Sequence, residues 1–383
     1  MGKRVYVLAP DSFKESMTAQ EACQAMAVGI RRVQSDAMIL QVPMADGGEG
    51  TMAVLVEAQQ GRYQSMMVHG PLENQMVQAS YGIINNGETA IIEMAQASGL
   101  GLVPKEKRQP LNTSSYGTGE LFMDALAKGV KTIVLTLGGS ATNDAGAGML
   151  QALGGKLMRR DGQPISWGNA GLSELDHLDL IEVKRLLANR TILLVSDVNN
   201  PLLGKTGATA VFAKQKGAVA ADYTRLEENM KRFVALLEKK EKKEFHTIPG
   251  SGAAGGLALP LLALGNATFV SGVQYVAEKV KLSAAIQKAD WVFTGEGGID
   301  FQTKFGKTPY GVAQVARQYH KPTIAFAGKI GLGIDSLYAE GFDAIFGILG
   351  QTGSLDQALS SGPENLARTV ENVVHLLQIS QKG

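Results

Sequence analysis

The sequence predicts an α/β fold with parallel strands, and three observations predict it. Short runs of β-branched and apolar residues alternate with helix-period patterns along almost the whole chain, as in consecutive βαβ units. Glycine-rich turns follow several of the strand-like runs. At 383 residues, with 45% hydrophobic and 19% charged, the chain has the composition of a globular protein and exceeds the usual size of one hydrophobic core, so we expect two domains.

The strands are predicted from short runs rich in Val, Ile, Leu and Thr. In chain order they are Val5–Leu8, Met38–Met44, Ile91–Met94, Thr132–Leu137, Thr191–Ser196, Trp291–Thr294, Thr323–Ala327 and Ala344–Leu349.

The first helix is predicted from a capping box, in which Thr18 is followed three residues later by Glu21. Its apolar stripe consists of Ala22, Met26, Ile30 and Val33. The other predicted helices are Thr51–Gln60, Gly119–Lys128, Asp144–Leu153, Tyr223–Lys239, Pro309–Gln318 and Pro363–Leu377. Two of these begin with proline, which the first helical turn tolerates well.

Charge and cysteine content exclude several classes of protein. A net charge of +1 provides no field for gripping nucleic acid or an anionic membrane. Cys23 is the single cysteine, so the sequence predicts no disulfide framework and no thiolate metal site. The uncharged segment 247–277 is broken by proline and glycine and is predicted to form buried core and loop. With no apolar leader before Val5, we expect a cytoplasmic protein.

Acidic residues and glycines follow five predicted strands at the point where each strand ends. Ligands of α/β sheets bind beyond these carboxyl ends, so the chemistry is expected there. The segments are 11–16, 46–51, 138–144, Asp197 and 295–300, and a further glycine-rich turn spans 250–256.

Each of these segments also has a purely structural explanation. Asp46 and Glu49 would favour the positive N-terminus of the following helix, and Ser140 and Thr142 would cap the next one. Asp197 would form a turn, Lys14 would be a solvated surface lysine, and the glycines of 250–256 would allow close helix packing.

The conjunction of these segments favours phosphoryl transfer. Glycine-rich loops at helix starts bind phosphates through backbone N–H groups, and carboxylates bind Mg²⁺. Structural roles explain each segment singly but do not explain why acids, glycine loops and a lysine recur at the strand ends.

Three short motifs imitate known nucleotide-binding signatures. Gly204-Lys205-Thr206 and Gly306-Lys307-Thr308 resemble the end of a P-loop, but Asn199 and Phe301 occupy the positions of its first glycine. Gly48-x-Gly50-x-x-Ala53 matches the dinucleotide fingerprint, yet Asp46 and Glu49 would repel a pyrophosphate there. We interpret all three as false positives.

At the same strand-end segments the chain resembles the bacterial type-one glycerate kinases. The similar segments are 9–16, 43–51, 113–120, 137–144, 200–202, 215–218, 249–256, 294–297 and 300–307, so the resemblance covers most of the chain in order. Two departures are Gly298, where arginine is expected, and Ala213-Lys214, where Gly-Pro is more usual.

The resemblance implies two α/β domains and a kinase reaction. A Rossmann-like domain would be formed by both chain ends, residues 1–84 and 286–383, with a second α/β domain inserted at 85–285. ATP, Mg²⁺ and D-glycerate are the implied reactants. Members of the family phosphorylate either the 2- or the 3-hydroxyl, and we expect 2-phosphoglycerate.

We assign candidate roles from charge and position. The catalytic candidates are Lys14, Asp46, Asp197 and Asp300, with Asp197 as the base. Glu49 and Glu296 are candidate metal ligands. The candidate residues for binding substrate and nucleotide are Asp11, Ser12, Gly138, Gly139, Ser140, Asn143, Gly250, Ser251 and Gly252.

Two other classes of function remain as alternatives at this point. An NAD-dependent hydroxy-acid dehydrogenase would use the Gly48 loop, and a non-catalytic binding protein would close on a hydroxy acid.

Overall fold

A computed structural model describes residues 3–379 and confirms the α/β fold class. Its strands are β1 (Val5–Leu8), β2 (Met38–Gln41), β3 (Arg62–His69), β4 (Met76–Ile84), β5 (Thr89–Glu93), β6 (Thr132–Thr136), β7 (Lys156–Met158), β8 (His177–Asp179), β9 (Thr191–Val195), β10 (Asn266–Val270), β11 (Trp291–Ile299), β12 (Thr323–Ile330) and β13 (Ala344–Gly347).

The α-helices range from single turns to five turns. They are α1 (Ala19–Val33), α2 (Thr51–Ala58), α3 (Ala95–Ser98), α4 (Tyr116–Ala127), α5 (Ala147–Ala152), α6 (Gly168–Gly171), α7 (Ile181–Leu187), α8 (Ala208–Phe212), α9 (Asp222–Glu241), α10 (Ala258–Leu264), α11 (Gly272–Lys279), α12 (Leu282–Gln287), α13 (Thr308–Gln318), α14 (Asp335–Tyr338), α15 (Leu355–Ser360) and α16 (Gly362–Ile379). No helix among residues 3–379 has both the length and the apolarity needed to cross a bilayer.

The chain divides into two compact units. The first contains residues up to 46, residues 53–58 and residues from 271 onward, and the second contains residues 47–52 and 59–270. The expected insert was 85–285. The second unit begins earlier than this, at residue 59 with residues 47–52 in addition, and it also ends earlier, at residue 270. The difference at the start arises because β4 pairs with β5 in the second unit and β3 pairs with β4.

The first unit is built on a five-stranded parallel sheet with the order β13-β12-β11-β1-β2. Numbered along the chain within this sheet, the order is 2-1-3-4-5, that of a doubly wound Rossmann-like fold. The order reverses between β1 and β11. Ligands of such folds bind outside the carboxyl ends of the strands at this reversal.

The core of the first unit joins the two ends of the chain. The predicted capping box starts α1, with Glu21 N donating to Thr18 Oγ1 over 3.2 Å and Thr18 N donating to Glu21 Oε2 over 2.8 Å. Helix α1 packs against α16, and a Cβ at Gly29 would lie 2.3 Å from Ala367 O. Glycine at position 29 is therefore what allows the two helices to approach so closely.

The second unit is built on a six-stranded mixed sheet with the order β10-β9-β6-β5-β4-β3. β5, β6, β9 and β10 are parallel, and β4 and β3 continue the sheet as antiparallel strands. Its buried core includes Tyr81, Phe122, Leu135, Leu194 and Phe233.

All eight predicted strands are present, with three clear differences in length. The predicted strand 38–44 ends at Gln41, whereas β11 continues to Ile299 and β12 to Ile330. β3, β4, β7, β8 and β10 were not predicted. The helix expected from Asp144 begins at Ala147, after Gly146 in the left-handed region. Ser140 and Thr142 therefore do not cap it.

Candidate active site

In the first unit, two buried acids lie where the strand order reverses. Asp11 follows β1, and its backbone N–H donates to Gly295 O of β11 over 2.9 Å. Glu296 is the next residue of β11, and both acids are buried, at 7% and 9% exposure. The structure thus brings together two residues predicted separately from strand ends that are about 285 residues apart in the sequence.

Asp11 accepts hydrogen bonds from its own loop and from a helix start. Ser12 N donates to Asp11 Oδ1 over 2.6 Å, and Thr308 Oγ1 donates to Asp11 Oδ2. The pKa of Asp11 is raised to about 7, mainly by burial and further by the negative charges of Asp46 and Glu296. The two hydrogen bonds lower it and so oppose the shift. Asp11, Asp46 and Glu296 therefore form one electrostatic cluster, the carboxylate cluster.

Glu296 is paired with a lysine. Lys307 Nζ donates to Glu296 Oε1 over 3.1 Å and to Gly298 O over 3.0 Å, and Thr303 Oγ1 lies 3.4 Å from the same carboxylate oxygen. Burial raises the pKa of Glu296 to about 7, although the charge of Lys307 opposes the shift. Asp11 and Glu296 are thus both protonatable near neutral pH.

Sequence reasoning missed the two residues that contact these acids. Lys307 and Thr308 belong to the Gly306-Lys307-Thr308 motif that was set aside as a false P-loop. They lie at the start of α13 and reach Glu296 and Asp11. By contrast, Gly204-Lys205-Thr206 is an exposed loop of the second unit. The sequence context does not distinguish the two motifs, since Gly204 lies between β9 and α8 just as Gly306 lies between β11 and α13.

The remaining candidates of the first unit lie near these strand ends in the sequence. Asp46 is half-buried, Ser12 is half-buried, and Lys14 is exposed. Asp300 caps a short 3₁₀ turn at 301–304, because its Oδ1 accepts from Gln302 N over 2.8 Å. This use of one carboxylate oxygen gives Asp300 a structural role, and its catalytic role stays a prediction.

The carboxylate cluster has the donor chemistry that Mg²⁺ uses, but not a complete cage. Within residues 3–379, no group of three or more His, Cys, Asp or Glu side chains has the geometry to hold a metal ion. Mg²⁺ is commonly held by one or two carboxylates together with substrate phosphates and water. The oxygen donors of Asp11, Asp46 and Glu296 fit that mode.

In the second unit, the turn after β6 exposes backbone donors. Gly139 lies in the left-handed region at φ 73°. Among the described residues, the backbone N–H groups of Gly138, Gly139 and Ser140 donate no hydrogen bond within the protein, whereas Ala141 N donates to Ser98 O. Successive free N–H groups in a turn of this kind form an anion-binding concavity. We call residues 138–140 the amide turn.

Buried polar residues hold the segment that contains the amide turn. Asp144 Oδ2 accepts from Ser115 N over 2.9 Å and from Ser115 Oγ over 2.8 Å, and burial raises its pKa. Lys216 Nζ donates to Ser140 Oγ over 2.8 Å and to Thr142 O over 2.6 Å. Neither Asp144 nor Lys216 was predicted as a site residue.

Asn143 and the turn 250–256 contact the protein interior. Asn143 Nδ2 donates to Thr209 Oγ1 over 3.0 Å. Ser251 Oγ accepts from Leu202 N over 3.0 Å, and a Cβ at Gly252 would lie 2.2 Å from Pro201 O. The turn therefore allows close backbone packing, which is the structural explanation proposed from the sequence for its glycines. Direct ligand contacts of Asn143, Gly250, Ser251 and Gly252 stay predictions.

The start of α2 is occupied by a buried carboxylate. Glu93 Oε1 accepts from Met52 N over 2.8 Å. A dinucleotide pyrophosphate would need the free N–H groups of this helix start. The Gly48 motif is therefore not a dinucleotide site. Glu49 is exposed in this loop, and its role as a metal ligand stays a prediction.

Asp197 follows β9 as predicted and is half-buried. Val198 N donates to Ser196 Oγ over 3.2 Å, which forms a local turn at the end of the strand. The assignment of Asp197 as the base stays a prediction, which kinetic measurements on a variant can test.

Comparison with known proteins adds independent evidence on the family. The model of the glycerate kinase family matches residues 6–378. A glycerate kinase of Halalkalibacterium halodurans is 47% identical over 96% of both chains, and a glycerate 2-kinase of Escherichia coli K12 is 43% identical over 98% of this chain and 99% of its own. The crystal structure of a Salmonella typhimurium LT2 protein described as a candidate glycerate kinase 2 matches with a TM-score of 0.87, 42% identity and full coverage of both chains.

These matches span nearly the entire chain and include both units. They agree with the α/β fold of the chain, and they replace the dehydrogenase and binding-protein alternatives. The chain belongs to the glycerate kinase family, and it is a phosphotransferase that acts on an alcohol group.

Proposed function

We propose that this enzyme transfers the γ-phosphoryl group of ATP to the 2-hydroxyl of D-glycerate, giving 2-phosphoglycerate and ADP. The hydroxyl oxygen forms the new bond to phosphorus, the bond to the bridging oxygen breaks, and the hydroxyl proton goes to a carboxylate base. The 2-hydroxyl is chosen because the E. coli relative is named a glycerate 2-kinase.

The carboxylate cluster is the observation that carries the proposal. Asp11 and Glu296 lie at the reversal of the strand order, and Lys307 and Thr308 contact them from one helix start. Phosphoryl transfer depends mainly on positioning charged groups and stabilising charge. Acids, a lysine and a hydroxyl held together in this way can hold a metal ion and orient a substrate hydroxyl.

We assign candidate roles to individual residues from their charge and position. Asp11, Asp46 and Glu296 are the pool for Mg²⁺ and hydroxyl contacts, with Glu49 and Asp300 as further candidates. Mg²⁺, when bound, would neutralise phosphate charge. The amide turn and Lys14 would bind phosphate oxygens, and Asp197 would accept the hydroxyl proton. We further propose that the reaction takes place in the cytoplasm, consistent with the single, buried Cys23.

A coupled assay of ADP release tests the reaction. We expect release with D-glycerate, ATP and Mg²⁺ together, and none when any one is omitted or when NAD replaces ATP. Absence of ADP release with D-glycerate at millimolar concentration would disprove the proposed substrate.

Phosphorus NMR of the product tests which hydroxyl is modified. We expect the signal of 2-phosphoglycerate. A clean signal of 3-phosphoglycerate would overturn the choice of hydroxyl and leave the kinase reaction intact.

A further inference from the structure

Lys216 is a lysine whose ammonium group is buried in the second unit. The residue is 2% exposed and ends a 3₁₀ turn at 214–216. Its Nζ donates to Ser140 Oγ over 2.8 Å and to Thr142 O over 2.6 Å. Lys214, two residues earlier on the same turn, is exposed.

The two acceptors of Lys216 are uncharged. Asp144 is the charged group whose field acts on it, but the carboxylate of Asp144 accepts from Ser115, Gly146 and Gly148 instead. Arg108, whose backbone packs against Gly217, directs its guanidinium to Val103 O. A buried ammonium without a directly paired carboxylate is costly, so a second source of negative charge would stabilise it.

The contact with Ser140 joins this charge to the amide turn. Because Ser140 Oγ accepts a hydrogen bond from Lys216, the single hydroxyl proton of Ser140 is free to be donated elsewhere. The adjacent backbone N–H groups of Gly138, Gly139 and Ser140 are also free among the described hydrogen bonds. Four donors therefore stand next to one buried positive charge.

We propose that Lys216 is a positioning residue of the amide turn, and that a phosphate group of the nucleotide bound by this turn supplies the negative charge that the buried ammonium lacks. This inference rests on the proposed function, since it takes the amide turn as a phosphate site. It adds that nucleotide binding is coupled to the charge of Lys216.

The coupling has a measurable proton signature. Burial lowers the pKa of Lys216 to about 7, and the field of Asp144 opposes this shift. A bound anion favours the charged ammonium, so binding takes up a proton when the pH lies above about 7. Well below pH 7 the ammonium is already charged and binding takes up none. Affinity for the nucleotide must therefore fall as the pH rises above 7.

Isothermal titration calorimetry with ATP in the absence of divalent cations tests this inference. Wild-type enzyme is titrated at pH 6.0 and pH 8.5 in two buffers of different ionisation enthalpy, which reports protons taken up per ATP. Leaving out the metal ion avoids the displacement of protons from the carboxylate cluster by the metal. We expect uptake at pH 8.5 approaching one proton, and no uptake at pH 6.0, where ATP itself is partly protonated and can only release protons on binding.

Three variants assign the proton to Lys216. Lys216→Met is expected to bind ATP at least about tenfold more weakly and without uptake. Lys216→Arg keeps a permanent charge, so it is expected to bind at pH 8.5 without uptake. The matched control, Lys214→Met, changes an exposed lysine of the same turn and is expected to behave as wild type. Thermal unfolding of each variant verifies that it is folded.

The outcomes separate the inference from the proposed function. Wild-type binding without proton uptake at pH 8.5, or uptake that persists in Lys216→Arg, overturns the inference even if glycerate is phosphorylated. Uptake that is lost in Lys216→Arg supports the inference. If such an enzyme released no ADP with D-glycerate, the proposed function would fail while the coupling stood.

Discussion

The ammonium of Lys307 lies 3.1 Å from Glu296 Oε1 and 3.0 Å from Gly298 O. One lysine thus joins a buried acid to the backbone of the strand that carries it. Lys307 lowers the pKa of Glu296 against the effect of burial, so a larger fraction of Glu296 is ionised at neutral pH than would be without the lysine.

Replacing Lys307 with methionine should therefore weaken turnover. Without the ammonium, the pKa of Glu296 rises further and a larger fraction is protonated at pH 7. We expect kcat to fall about 10–100-fold, and the acid limb of the pH–rate profile to move to higher pH. Lys304→Met is the control, since Lys304 Nζ lies over the ring of Phe305 at 5.4 Å. An unchanged acid limb in Lys307→Met would contradict this role of Lys307.

Asp197→Asn should strongly reduce turnover and leave the fold intact. Asparagine keeps the size of the side chain but cannot accept the hydroxyl proton, so kcat should fall about 10²–10⁴-fold. If Asp197 is only a turn former, the change costs on the order of 1 kcal/mol of stability with near-normal turnover. Steady-state kinetics and thermal unfolding of the same preparation decide, and a loss of kcat below about fivefold would move the base to Asp46 or Asp300.

Asp11→Asn should stabilise the protein in alkaline solution. The pKa of Asp11 is raised from 3.8 to about 7 in the fold. Between these values the folded state keeps a proton that the unfolded state releases, so the free energy of unfolding falls as the pH rises from about 4 to 7. The asparagine that replaces Asp11 in the variant does not titrate, so the free energy of unfolding does not show this decrease with pH. At pH 8 we expect a gain of at least about 1 kcal/mol, or a few degrees in Tm, and little gain at pH 4.

The exposed Asp36 provides the matched control for this measurement. Asp36→Asn should leave the pH dependence of Tm as in the wild type. Equal pH dependence in wild type and Asp11→Asn would show that the buried charge of Asp11 does not limit stability.

Substitution by alanine should destabilise the protein at one glycine of β11 and have little effect at another. A Cβ at Gly295 would lie 2.3 Å from Phe326 O of the paired strand, whereas at Gly298 the nearest atom is Lys329 O at 4.0 Å. Gly295→Ala should cost about 1–3 kcal/mol through overpacking, and Gly298→Ala should change stability by less than about 0.5 kcal/mol. Thermal unfolding measures both, and equal costs would contradict the difference in space.

The space at Gly298 also bears on its departure from the family pattern. The family resemblance led us to expect arginine there, and a Cβ added at this position would meet no atom closer than 4.0 Å. The backbone at position 298 therefore does not require glycine.

The fold could be predicted wherever a segment's own pattern determines its structure. Val5–Leu8 and the capping box of Thr18 and Glu21 were predicted correctly, because apolar runs and caps are local signals. β3 was missed because Arg62–His69 is mostly exposed and polar, and its structure comes from pairing with β4. The boundaries of the units follow from such strand pairings, and the amino-acid composition does not indicate which strands pair.

The site could be predicted in part for a similar reason. The strand-end rule singled out Asp11, Asp46 and Glu296 as candidates, and the structure places Asp11 and Glu296 together because β1 and β11 are neighbouring strands; their roles in the reaction stay predictions. It could not find Lys307, which lies at a helix start. It could not find Lys216 either, since a lysine buried by tertiary contacts looks like a surface lysine in the sequence.

The close contact between α1 and α16 at Gly29 has a consequence during synthesis on the ribosome. β1 needs β11 as its neighbour, and β11 follows about 280 residues later. At about 5–20 residues per second, the first segment waits roughly 15–60 s before its partners emerge. Meanwhile, residues 59–270 emerge as one continuous stretch and can fold first. The apolar face of α1, including Met26 and Ile30, therefore stays without its partner helix until the end of translation.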